Sequence, residues 1–227
     1  INNVISCDVI VFCVRSVSMI SRYLSFDLGA SSGRAYVISL NNKNLSLDEI
    51  YRFTNKNIWE DGILYWDFNL IIKNIKKSIK LAFQKYPDIK SIGIDTWGVD
   101  YGLIDYDGNL LRNPICYRDL RTKKIKDDIF KIISQDKLYQ KTGIQYMYFN
   151  TIFQLYHDTI YFPELLKKTD KILLIPDLIA YYLTGEKRIE LTNLSTTNFY
   201  NPNKKEIISE LKTLRIPQRI FPNLIKP

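Results

Sequence analysis

Apolar and polar positions alternate in three runs near the start of the chain. Tyr23–Phe26 leads into Asp27-Leu28-Gly29, Arg34–Leu40 follows a tight turn at Gly33, and Leu45–Phe53 follows the polar stretch Asn41–Asn44. The period of two predicts strands, with a hairpin turn at the asparagines. The period then changes. Leu70, Ile71, Ile75, Ile79 and Leu81 (or Ala82) recur near helical spacing behind Asp67, a good N-cap, and Pro87 closes the helix. Ile89–Ile94 reads as a buried strand running into Asp95-Thr96-Trp97-Gly98, and Val99–Ile104 and Leu110–Tyr117 flank Asp107-Gly108-Asn109 as a second hairpin. From Asp119 onward the pattern is mainly helical, over 123–133, 137–141, 152–160 and 176–183, the last ending at Gly185. Three strands, a helix, a strand and a helix-rich insertion make an α/β chain.

Composition adds exclusions. The chain has 227 residues, 46% hydrophobic and 25% charged, which rules out collagen, coiled coil and disorder. Lys+Arg 32 against Asp+Glu 24 gives +8, a balance that raises nucleic acid or an anionic membrane as partners. No dense Lys/Arg block occurs, so the excess reads as compositional bias and no nucleic-acid partner is expected. The three cysteines form no CxxC pair, so neither a disulfide framework nor a zinc site is encoded, and a reducing cytoplasmic setting fits best. His157, between Tyr156 and Asp158, reads as a surface helix residue rather than a catalytic base. The apolar run Val9–Val14 is shorter than a signal-peptide core of about 7–15 residues or a membrane span of about 20, so no membrane partner is expected. Residues 1–18 are expected to be a non-native or disordered extension, 19–227 a single domain, and the whole a fragment.

Three clusters carry candidate chemistry. In Asp27-Leu28-Gly29-Ala30-Ser31-Ser32-Gly33-Arg34 a carboxylate ends a strand, and a small hydroxyl-bearing loop returns directly into the next one. Backbone N–H groups and hydroxyls in such a loop can approach phosphate oxygens, while Asp27 can hold magnesium through water. The plain alternative is a Gly/Ser hairpin. It is neither a Walker loop nor a Rossmann fingerprint, because a strand follows it. In the second cluster a strand delivers Asp95, Thr96 and the backbone of Gly98 at its carboxyl end, the usual place for ligand groups in an open α/β sheet. There Trp97 could stack on a sugar face and Asp100 accept hydroxyl hydrogen bonds; alternatively Trp97 is core and Asp100 starts a turn. The third, Tyr117-Arg118-Asp119-Leu120-Arg121, either binds hydroxyls or caps the following helix, with Asp119 near the N-cap and Arg118 solvated.

These residues resemble the FGGY carbohydrate kinases, and within them the branch acting on L-rhamnulose. The resemblance runs from about Met19 to the end of the chain: DLGASSGR (27–34), Trp66-Asp67, SIGIDTWGVDYGL (91–103), YRDLRT (117–122), YQKTGIQ (139–145), FNTIFQL (149–155), LLIPDL (173–178), YLTG (182–185) and TNLSTT (192–197). The wider family often has Trp where this chain has Tyr117, and Lys where it has Gln154. The resemblance implies an actin-like (ribonuclease-H-like) fold, with this chain the N-terminal domain of a two-domain sugar kinase. It implies phosphoryl transfer from magnesium ATP to the 1-hydroxyl of L-rhamnulose. Carried over by position, Ala30, Ser31, Ser32, Gly33 and Arg34 contact ATP phosphates with Asp27 near the metal. Gly98 contacts the sugar, with Asp95, Thr96 and Trp97 shaping its pocket. Family members are roughly twice this length, and their catalytic base, an Asp in a His-Asp-Thr-like motif, is expected beyond Pro227, together with a C-terminal kinase domain. Two alternatives stay open: a catalytically inactive sugar-binding remnant, and a ribonuclease-H-like nuclease using Asp27 and Asp95 as metal carboxylates.

Overall fold

The computed structural model describes residues 20–226, so the expected extension at 1–18 lies outside the described residues. The chain opens with β1 (Ser21–Leu28), β2 (Ser32–Asn41) and β3 (Asn44–Thr54), an antiparallel meander whose second turn places Asn42 at φ +54. A two-stranded hairpin follows, β4 (Asn57–Glu60) and β5 (Ile63–Trp66), turning on Asp61-Gly62 with both residues at positive φ. That Asp-Gly signal is strong, yet the sequence reading passed over it. Helix α1 (Phe68–Lys85) begins where Asp67 accepts the Leu70 N–H at 2.9 Å, and β6 (Ile89–Thr96) then pairs parallel to β1. The four-stranded order is β3-β2-β1-β6.

One face of this sheet is packed. Leu24, Phe26, Ala35 and Val37 alternate inward and meet Phe68, Ile71 and Ile75 of α1 in a dry core. The other face carries a polar row across all four strands, because the pairing sets Asp95 beside Asp27, Asp27 beside Arg34 and Arg34 beside Arg52. The expectation that β6 is buried does not hold. Its outer edge has no partner strand among the described residues, and Ile92 stays 38% exposed.

Beyond β6 the chain builds a second core. Strand β7 (Tyr101–Asp105) pairs antiparallel with β8 (Thr169–Leu174), far along the chain, and not with residues 110–117. The turn at Gly108 forms, but the second arm makes only one bridge to β7, Ile104 to Leu110, and then turns to β5 through a bridge between Ile115 and Tyr65, so the second hairpin stops there. Helices α2 (Lys126–Ile132), α3 (Gln135–Thr142), α4 (Thr151–Tyr161), α5 (Pro163–Lys168) and α6 (Ile175–Thr184) surround the ribbon. Short β9 (Arg188–Glu190) and α7 (Leu191–Ser195) follow. Gly143 at φ +72 and Gly185 at φ +79 end α3 and α6 in the left-handed conformation. The ribbon separates the two cores: Tyr101, Leu103, Ile172 and Leu174 face the helical one, while Ile104, Leu173 and Ile175 face the sheet. No helix among the described residues is long and apolar enough to cross a membrane.

Candidate functional site at the carboxyl ends of two parallel strands

Strands β1 and β6 run parallel and end side by side, which brings two of the three sequence clusters together. Asp27 and Asp95 are register neighbours, both exposed, and Asp27 accepts from Arg34 Nη1 at 2.9 Å. The loop after Asp27 is held from behind by Asn55. Its side-chain amide donates to the Gly29 carbonyl at 2.6 Å and its backbone N–H to the Ser31 carbonyl at 3.0 Å, while Gly29 N–H closes on the Ser32 carbonyl at 2.9 Å. Three carbonyls that would repel an anion are thereby engaged within the protein, and Gly29 and Ser31 stay exposed. Gly33 works from beneath. A Cβ there would come within 2.4 Å of the Phe53 ring and 2.7 Å of Leu28, so only glycine lets β2 pass this point.

The turn after β6 is strained. Asp100 N–H bonds the Gly98 carbonyl at 2.9 Å across Val99, which sits at φ +66, the pattern of a γ-turn with a β-branched centre. Gly98 is exposed, and a Cβ on it would point to Thr196 Oγ1 at 3.5 Å. Thr96 is half-buried and its hydroxyl bonds the Trp97 carbonyl at 2.9 Å. Trp97 is half-buried too, its ring 4.3 Å from that of Trp66, with Tyr117 and Phe149 continuing the aromatic wall.

Asp100 does not face solvent. It is fully buried and accepts four hydrogen bonds, from Trp66 Nε1 (2.7 Å), Gln154 Nε2 (2.9 Å), Tyr117 N–H (3.0 Å) and Trp97 Nε1 (3.2 Å). A sugar hydroxyl has no access to it, which corrects that expectation. Burial pushes its pKa up to about 6, against the pull of these donors and of Arg121. The third cluster is structural as well. Asp119 is buried and accepts from Leu64 N–H (2.9 Å) and Arg121 N–H (2.8 Å), pinning the β4–β5 hairpin, while Arg118 is exposed. His157 is buried, stacked on Tyr161 at 4.4 Å, and so is not the surface residue its neighbours suggested. It lies beside Asp158, for which burial is outweighed by the Arg112 ion pair, bringing its pKa down to about 2. A cleft of about 670 Å³ near Asn69, Asn109, Arg112 and Tyr181 includes none of the residues of the first two clusters.

Sequence reasoning missed Asn55, Thr151 and Thr196. Thr151 and Thr196 lie inside the runs FNTIFQL and TNLSTT, which marked the resemblance but gave neither residue a role, and Asn55 lies in no motif; only the folded chain brings the three to the site.

The fold is shared with sugar kinases of the actin-like ATPase fold. A xylulose kinase from Lactobacillus acidophilus superposes with a TM-score of 0.80 at 21% identity, covering 91% of this chain and 42% of that one. Plasmodium falciparum glycerol kinase with ADP does so at 0.75 and 19%, covering 90% and 43%. The chain belongs to the FGGY family of carbohydrate kinases, whose N-terminal domain matches residues 22–227. A rhamnulokinase from Bacillus subtilis (strain 168) is 41% identical over 206 residues, 90% of this chain and 42% of its own length. One from Bacteroides thetaiotaomicron is 40% identical over 212 residues, 92% and 43%. The chain thus spans well under half the length of these relatives.

Proposed function

We propose that this chain is the sugar- and phosphate-binding part of a kinase that phosphorylates the 1-hydroxyl of L-rhamnulose. The observation that carries the reading is the meeting of the Gly29–Ser32 loop and the Gly98 turn at adjacent strand ends, in a chain about 40% identical to rhamnulokinases. Ala30, Ser31, Ser32 and Arg34 contact the ATP phosphates, and Gly33 lets the loop lie flat over Phe53. The donor set suits magnesium ATP: engaged carbonyls leave the loop free for an anion, and the paired acids Asp27 and Asp95 offer hard oxygen to a cation, with Asp27 the nearer ligand through water. When bound, that group supplies the transferred phosphoryl and neutralises its charge. Gly98 admits the sugar against the backbone, while Asp95 and Thr96 flank it and Trp97 offers a ring face.

The family's catalytic base lies outside the motifs found here, so the chain binds sugar without turning it over; a general base contributes about 10²–10⁴-fold. A metal-dependent nuclease reading carries less, since no group of three metal-ligating side chains occurs among the described residues. Calorimetry with L-rhamnulose, beside a coupled ADP-release assay, tests the proposal. Binding that Gly98→Val weakens at least about tenfold, with no sugar-dependent ADP release, is expected. Robust turnover would place the base within these residues, and binding of a different ketose in preference would overturn the substrate.

A further inference from the structure

Val99 is the point of departure. A β-branched residue at positive φ is strained and persists only where its surroundings impose it. Here the imposing groups come from α4. The Val99 carbonyl accepts the Thr151 hydroxyl at 2.8 Å and Gln154 Nε2 at 3.3 Å, from two residues one helical turn apart that are both essentially inaccessible to solvent. The two hydrogens of the Gln154 amide nitrogen serve Asp100 Oδ1 and the Phe149 carbonyl, both at 2.9 Å, and the longer Val99 contact shares one of them. Its oxygen accepts Arg121 Nη2 at 2.7 Å. Arginine can only donate, so this contact fixes which end of the amide faces Asp100.

The division of labour on Asp100 follows. Oδ2 takes Trp66, Trp97 and Tyr117, whereas Oδ1 takes Gln154. Without Gln154 Oδ1 has no partner and the carboxylate is held through Oδ2 alone, so Trp97, whose bond is the longest of the three at 3.2 Å, is anchored to a less fixed acceptor. We propose that Gln154 is a positioning residue of the sugar pocket: one amide ties α4 to the Gly98–Asp100 turn and, through the Asp100 carboxylate, fixes the placement of Trp97. The proposal rests on the assignment of Gly98 and Trp97 to that pocket.

The charged and titratable groups facing Asp100 are Arg121, from the short helical turn at Arg121–Lys124, and the buried Cys116 thiol, itself pushed up to about 11 by burial. A charge placed at position 154 joins them at hydrogen-bond distance. Gln154→Glu sets a carboxylate against Asp100 and Gln154→Lys an ammonium, so the two move its ionisation in opposite directions, while Gln154→Leu removes the contact.

The chain contains three tryptophans, and Trp59 is 69% exposed on the β4–β5 hairpin. In a Trp59→Phe background the fluorescence excited beyond the tyrosine band, and the circular dichroism at the red edge of the indole band, report the Trp66–Trp97 pair clear of the 16 tyrosines. The expected result is an indole transition whose midpoint rises by about one pH unit in Gln154→Glu and falls by about as much in Gln154→Lys. In Gln154→Leu the pair's circular dichroism is altered at 25 °C, well below melting, and L-rhamnulose affinity falls about tenfold. Midpoints that coincide in wild type, Gln154→Glu and Gln154→Lys overturn the proposal. So does an indole signal in Gln154→Leu identical to wild type with only a lower melting temperature, the mark of a merely structural role. If Gln154→Leu does not fold, the opposed pair decides alone. If wild type does not bind L-rhamnulose while the indole shifts appear, the substrate reading fails and the positioning role stands.

Discussion

A buried carboxylate is tolerated when a cation or donors on both oxygens offset its burial, and three aspartates of this chain differ in that respect. Asp100 has four neutral donors spread over both oxygens, Asp158 has the Arg112 cation and the Tyr101 hydroxyl on one oxygen, and Asp177 has neither a cation nor a partner for its second oxygen. One Asp177 oxygen accepts Glu190 N–H (3.1 Å) and Asn193 Nδ2 (3.4 Å); the other is buried without a partner. Burial and the nearby Glu190 charge push its pKa up to about 7. A raised carboxyl pKa means the native state holds its proton longer than the unfolded chain. Its stability contribution is therefore complete below the ordinary carboxyl value of 3.8 and is lost as pH rises through about 7. Asp177→Asn is expected to raise stability at pH 8 by roughly 1–3 kcal/mol and to remove most of the loss between pH 6 and 7, above the window in which Asp100 contributes. Urea titrations at several pH values check this; equal pH slopes for variant and wild type would contradict it. None of these differences was legible in the sequence, where the three aspartates look alike and the partners of Asp100 and Asp158 lie as far as 54 and 57 residues away.

At the scale of the element, local signals served well and pairing signals did not. Asp67 was legible as a cap because its bond to Leu70 spans three residues. Asp67→Ala is expected to cost about 1 kcal/mol, seen as a melting temperature lowered by a few degrees with the β1–β3 meander intact. The Asn41–Asn44 turn and the end of α6 at Gly185 are equally local. Periodicity says nothing about which strand pairs with which, however. The apolar content of Ile89–Ile94 marked β6 as interior although its outer edge is open, and β7 found its partner in β8 rather than across the nearby Gly108 turn. The candidate site was readable as two motifs, Asp27–Arg34 and Asp95–Gly98. The scaffold behind them was not: Asn55 lies in no motif, and the runs that hold Thr151 and Thr196 do not say which strand-end turn their hydroxyls will reach.

At the scale of the whole molecule, the β7–β8 ribbon has both faces buried, each against a different core. Because successive side chains point to opposite sides, neither core can lose its wall without exposing the other. The two halves are then expected to melt as one cooperative unit despite having separate interiors. Leu103→Ala opens a cavity on the helical side and Leu173→Ala on the sheet side, each costing about 2–5 kcal/mol. Both should lower the same single calorimetric transition, with calorimetric and van't Hoff enthalpies still equal. A second, separate transition in either variant would show that the ribbon does not couple them. Where the coupling holds, a cavity inside the helical core reaches the ends of β1 and β6 as a change in how often the whole chain is folded, whereas only a residue bonded to the Gly98–Asp100 turn, as Gln154 is, changes the pocket's shape.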